Sequence, residues 1–166
     1  MRKILCVFAI MAIMTGCAAP VYETLGDVIH VGGRGVQPRE SILSFPEEAS
    51  LLTSSGDDRL YLCDGYTLTL QTHTDGDFAA TVMELSGRDL SDLTVLESVC
   101  GDHKRSDLVW VTNGEDGQIV CRAAVLDDGN YHYSLTVMAK AADAADLTET
   151  WNSLFSSFCL ETEKTT

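Results

Sequence analysis

Imidazole and carboxylate groups come together at two places in this sequence, and a basic cluster stands at a third. The densest is Asp127-Asp128-Gly129-Asn130-Tyr131-His132-Tyr133, where His132 follows two carboxylates across a turn. An imidazole beside a carboxylate is the minimum of a general acid–base pair, because its proton affinity lies near neutral pH. A small exported hydrolase built on His132 with Asp127 or Asp128 still needs a nucleophile or a metal, and no motif supplies one. The second place is Thr72-His73-Thr74-Asp75-Gly76-Asp77. It has the donors of a metal corner, but Asp and Gly are also what a hairpin turn demands. The third is His103-Lys104-Arg105, expected in a loop, where it could meet an acidic group. His30 falls in a glycine-rich stretch and is expected to be exposed.

The chain has no Gly-x-Ser-x-Gly elbow, no His-Glu-x-x-His, no P-loop and no Ser-x-x-Lys. Triads are assembled in space, so this removes only the local reasons to expect catalysis. The expectation is therefore a non-catalytic protein without metal or cofactor, with His132, Asp127 and Asp128 as the candidate binding residues. Trp110, Tyr131, Tyr133 and Trp151 could line a groove, but their strand and helix periodicity marks them as core.

The elements that must position these residues can be read from turns and periods. Residues 40–45 predict a first strand and residues 47–52 a helical turn, followed by a loop over 54–58. Leu60-Tyr61-Leu62-Cys63, Asp64-Gly65 and Tyr66-Thr67-Leu68-Thr69-Leu70 predict a hairpin, since Asp-Gly suits a type I′ turn. Residues 78–85 are read as a strand, although Ala79, Ala80, Met83 and Glu84 would also suit a helix. A short helical turn over 88–92 and a strand over 93–99 come next. Strands over 108–111, 119–126 and 131–138 are joined by turns too short for parallel crossovers. Leu147, Trp151, Leu154, Phe155 and Phe158 then form one apolar stripe of a closing helix, with Asp146 and Glu149 at capping-box spacing. The fold class is α+β: an antiparallel β-meander packed against a C-terminal α-helix, as a two- or three-layer sandwich.

The N-terminus carries a different kind of chemistry. Arg2 and Lys3 precede an unbroken apolar run from Ile4 to Met14. As a helix that run reaches about 16 Å, short of the roughly 20 residues that cross a bilayer. It reads as a secretory signal, and an ordinary one could be cut a few residues later, after Cys17-Ala18-Ala19. Met14-Thr15-Gly16-Cys17 at its end resembles the lipobox of bacterial lipoproteins, with Met14 in place of the favoured Leu. The resemblance implies cleavage before Cys17, which becomes residue one, and diacylglycerol on its thiol, whose two acyl chains (palmitate among them) suffice for stable membrane attachment. It places the protein on the outer, extracytoplasmic face of the cell membrane. The expected organisation is a signal peptide over 1–16, a flexible tether over 17–38, one domain over 39–160 and a tail over 161–166. Gly32-Gly33-Arg34-Gly35 lacks the setting of a phosphate loop and reads as spacer.

Charge and cysteines narrow the partners. The chain has 11 basic and 25 acidic residues, a net −14. Removing Arg2 and Lys3 leaves 9 against 25, or −16, which excludes nucleic acid as a partner. The partners expected are the membrane, through the lipid on Cys17, and an unidentified envelope protein. Cys6 leaves with the signal. Cys63, Cys100, Cys121 and Cys159 make an even set in an oxidising compartment. No pair has Cys-x-x-Cys spacing, so zinc is not expected. Cys63–Cys100 is expected because both end strands, and Cys121–Cys159 because the face of Cys121 is expected under the closing helix. Buried free thiols are the alternative.

In the order of its elements, the stretch over 40–160 resembles the PsbP-like α/β sandwiches. That likeness implies a non-enzymatic subunit bound at a membrane complex. The Asp127–Tyr133 segment also resembles one found in small lipoproteins of anaerobic bacteria, from which no function follows. Against the accessory module stand the small hydrolase and the receptor of a solute importer, for which one small lobe is short.

Overall fold

A computed structural model describes residues 37–74 and 77–161. The signal and lipobox, nearly all of the tether, the Asp75-Gly76 turn and residues 162–166 lie outside the described residues. Among the described residues the chain is mostly antiparallel β-structure with two helices, an α+β fold. Nine strands run in order: β1 Ser41–Ile42, β2 Ser50–Ser55, β3 Asp58–Leu62, β4 Tyr66–His73, β5 Val95–Cys100, β6 His103–Gly114, β7 Gly117–Asp127, β8 His132–Lys140 and β9 Cys159–Leu160. Helix α1, Phe78–Ser86, and a 3-10 turn, Leu90–Asp92, separate β4 from β5; helix α2, Thr148–Ser157, separates β8 from β9.

Two meanders make one seven-stranded sheet in the order β2-β3-β4-β8-β7-β6-β5. The first and second halves meet where β4 pairs with β8, from Tyr66 opposite Ala139 to His73 opposite His132. The Asp64-Gly65 turn closes as its sequence demands: Gly65 takes φ 80° and the Cys63 amide donates to the Tyr66 carbonyl at 2.9 Å. β1 and β9 pair separately, Ser41 with Leu160 and Ile42 with Cys159.

Strand alternation divides the core between the two sheet faces. Leu68 and Leu70 of β4 and Leu135 and Val137 of β8 share a buried cluster with Trp151 and Phe155 of α2. The Tyr66 and Trp151 rings meet edge-on at 6.3 Å between centroids. The alternate residues, Leu108 and Trp110 of β6 with Cys121, Ala123 and Val125 of β7, cluster with Val82 of α1. Trp110, Tyr131, Tyr133 and Trp151 are all buried, as core residues should be.

Several expectations are corrected. Residues 78–85 are the helix α1, because its ends are written in the sequence. The Asp77 side chain accepts from the Ala79 amide at 3.0 Å, and Gly87, at φ 66°, donates its amide to the Met83 carbonyl. Residues 50–52 belong to β2 and pair across a tight turn with β3, so no helical turn spans 47–52. His103-Lys104-Arg105 lies in β6 and not in a loop. The capping box over 146–149 is unused. Leu147 stands at the cap position with φ −87° and ψ −1°, entered from a run of turns, and no side chain caps there.

Neither expected disulfide forms: Cys63, Cys100, Cys121 and Cys159 are free thiols. Cys63 ends the β3 side of the first hairpin, while Cys100 ends β5 at the opposite edge. At about 4.8 Å per strand they lie some 20 Å apart or more, far beyond disulfide reach. Cys121 points to the α1 face, with Val82 and Trp110. Cys159 sits in β9 after α2, whose residues pack on the other face.

Candidate functional site

The register that joins β4 to β8 brings His73 and His132 side by side, and their alternation turns both toward α1. Each imidazole links sheet to helix. His73 Nδ1 lies 3.0 Å from Glu84 Oε2 of α1, and its Nε2 lies 2.9 Å from Ser134 Oγ of β8. His132 Nδ1 lies 2.8 Å from Thr81 Oγ1 of α1, and its Nε2 lies 3.8 Å from Asp127 Oδ2. The Phe78 ring meets His132 edge-on at 6.0 Å. One hydroxyl–imidazole–carboxylate chain, Ser134–His73–Glu84, thus runs between the sheet and α1, beside a Thr81–His132 pair whose Nε2 faces Asp127.

Glu84 Oε2, Ser134 Oγ and the His73 ring have the distances of a hydrolytic relay, with the hydroxyl placed to give its proton to Nε2. The hydrogen bond with His73 holds the Glu84 carboxyl below its ordinary value, against the opposing pull of partial burial. Ser134 and His132 are 1% and 2% exposed, and His73 is 6% exposed. Only the carboxylates reach solvent, Glu84 with half of its side chain exposed and Asp127 with about a third. The arrangement satisfies buried polar groups and pins α1 to the sheet.

Of the residues expected at a site, His132 and Asp127 come together, as direct cross-strand partners. Asp128 does not join them. Its Oδ1 accepts from the Asn130 and Tyr131 amides and its Oδ2 accepts from the Tyr133 hydroxyl at 2.9 Å, on the face that carries α2. That turn also holds the first described residues: the same Tyr133 hydroxyl accepts from the Arg39 amide at 2.7 Å. The Arg39 guanidinium donates to the Glu161 carbonyl at 2.7 Å and pairs with Asp102 at 3.3 Å.

His73 is buried and engaged with Glu84 and Ser134, and among the described residues no group of three metal-donor side chains converges. His103 is buried with Nδ1 2.9 Å from Asp102, and Arg105 forms a fork with Asp107. The expected basic cluster is therefore paired internally. Cys17 and His30 lie outside the described residues. Reading the sequence missed Glu84 and Ser134. Their only signal was Ser134 on the His132 side of β8, together with the helix reading of 78–85.

No family model matches the sequence and no curated protein matches it. Solved structures share its fold. The cyanobacterial PsbP protein CyanoP from Synechocystis superposes with a TM-score of 0.53 at 13% identity, over 82% of this chain and 99% of that one. A Bacteroides thetaiotaomicron protein superposes with a TM-score of 0.51 at 8% identity, over 74% of this chain; the chain spans 46% of its length. LpqN of Mycobacterium tuberculosis, a protein involved in cell envelope biogenesis, gives 0.48 at 13% identity over 79% of this chain and 90% of that one. The likeness to CyanoP is one of fold. Among the described residues no helix is long and apolar enough to cross a membrane.

Proposed function

We propose that this protein is an extracytoplasmic lipoprotein, held to the membrane through Cys17, whose domain works as a non-catalytic accessory or binding module. One observation carries the choice of binding over catalysis. Ser134, His73 and His132 are sealed between the sheet and α1, whereas the exposed large side chains include Leu51, Leu96, Val99 and Val109 on edge strands and their neighbour. A hydrolase has to present its nucleophile to a substrate; this domain presents apolar strand surface instead. The Met14–Cys17 tetrad after a short apolar run supports the anchor. The fold shared with CyanoP, a PsbP protein, supports an accessory subunit over a two-lobed solute receptor.

The test has two arms. Cys17→Ser in the producing cell is expected to move the protein from the membrane to the soluble extracytoplasmic fraction and to remove fatty-acid labelling. Retention in the membrane fraction refutes the anchor. A fluorophosphonate probe is expected to leave Ser134 unlabelled in the native protein. Stoichiometric labelling at Ser134 would replace the binding module with a serine hydrolase.

A further inference from the structure

An open sheet has two edges, and here they differ. β2 carries a register shift between Leu51 and Thr53, and such a bulge breaks the regular outer row of backbone groups. β5 has no such defence. It pairs with β6 in unbroken register from Val95 opposite Leu108 to Cys100 opposite His103, and among the described residues it ends the sheet. Its one charged side chain is Glu97. Leu96 and Val99, 68% and 79% exposed, are the two most exposed large apolar residues described, one on each face.

Both faces beside this edge are shaped to take side chains. On the Leu96 face, Val109 and Val111 of β6 continue an exposed apolar strip. On the Val99 face, Val95 and Glu97 line an open cleft of about 460 Å³ together with Phe78, Leu90 and Leu93. Lys104 pairs with Glu97 at 2.5 Å and stands 5.9 Å over the Phe78 ring. A strand added at an edge gains affinity from main-chain hydrogen bonds and specificity from pockets for alternate side chains. β5 offers the first, and the cleft offers the second.

We propose that β5 is a docking edge that takes an extended segment of a partner protein as an additional strand. That segment is apolar on both faces and carries net positive charge. The charge follows from the chain itself, with 25 acidic against 11 basic residues. A second copy at this edge would bring together two bodies of net −14 each, whereas a basic segment is attracted to one. This inference rests on the binding-module reading and names its surface and the chemistry of its partner.

The probe is a nine-residue peptide of valine and threonine with a central lysine, added to the full-length 15N-labelled chain. Amide exchange across β5 is expected to slow at least about tenfold, while amides of β2 keep their rates. The double variant Leu96→Lys, Val99→Lys alters only exposed side chains, so it should keep its urea midpoint and lose the protection. A peptide with central glutamate should protect at least about tenfold less. Protection of β2 instead, no protection of β5, or equal protection by the glutamate peptide overturns the proposal. Membrane release by Cys17→Ser is independent of all three outcomes, so failure of the edge and failure of the anchored module are told apart.

Discussion

Cys121 is 1% exposed among Val82, Leu108 and Trp110, and burial pushes its thiol up to about 11. Burial raises Cys63 too. Only the thiolate reacts, so at pH 8 a thiol near 11 has about one part in a thousand active. Native protein treated with iodoacetamide should therefore modify Cys100 and Cys159, both partly exposed, at least about a hundredfold faster than Cys121. Four thiols should be counted after denaturation without reductant; two or none would restore the disulfides. Glu84 sets a second expectation. Its carboxyl is depressed by His73, so it contributes stability that is present above its ordinary value of 4.5 and lost as pH falls through the lower folded value. With half the side chain exposed, the contribution is under about 1 kcal/mol. Glu84→Gln should flatten the acid limb of a plot of urea midpoint against pH, from about pH 5 downward. An unchanged limb would mean that the His73 bond does not survive in solution.

Helix α2 tests the core at the scale of an element. Trp151, Leu154 and Phe155 are each at most 5% exposed and share one cluster with β4 and β8. Trp151→Ala should cost about 3–5 kcal/mol, read as a shift in urea midpoint at constant slope. An unchanged midpoint would make α2 peripheral. This helix was legible because its stripe repeats over three turns, long enough for the 3.6 period to stand clear. The hairpins of β3–β4 and β7–β8 were legible because Asp64-Gly65 and Asp128-Gly129-Asn130 admit few alternatives. Helix α1 was not. Its nine residues bury only Thr81 and Val82, so its apolar pattern is thin, and the deciding signals are its two ends, Asp77 and Gly87. The site depends on the same two ends, since Glu84 reaches His73 only when 78–86 is helical. Ser134 was hidden for another reason: which strand lies beside β8 is a non-local choice, and nothing near residue 134 announces that β4 will be its neighbour. The disulfide expectation failed on the same ground, because it presumed which face of β7 lay under which helix.

Over the whole molecule, net charge and open edges oppose one another. At neutral pH a formal −14 keeps copies apart. The β5 edge, with Leu96 and Val99 exposed and no bulge, is the kind of strand that pairs with another chain once that repulsion is gone. The sequence isoelectric point is about 4.4. Light scattering of the native protein should therefore rise as pH approaches that value, while the far-ultraviolet circular dichroism still reports the folded sheet. Salt at neutral pH should give a weaker rise, because screening reduces repulsion between copies without removing their charge. Leu96→Lys with Val99→Lys should suppress the rise, by adding charge at the edge and removing its apolar surface. Leu51→Lys with Leu52→Lys adds the same charge at the bulged β2 edge and serves as the comparison; it should suppress the rise far less, since the bulge already spoils pairing there. Equal suppression by the two variants would show that net charge alone governs association, and β5 would lose its standing as the edge that this fold keeps open.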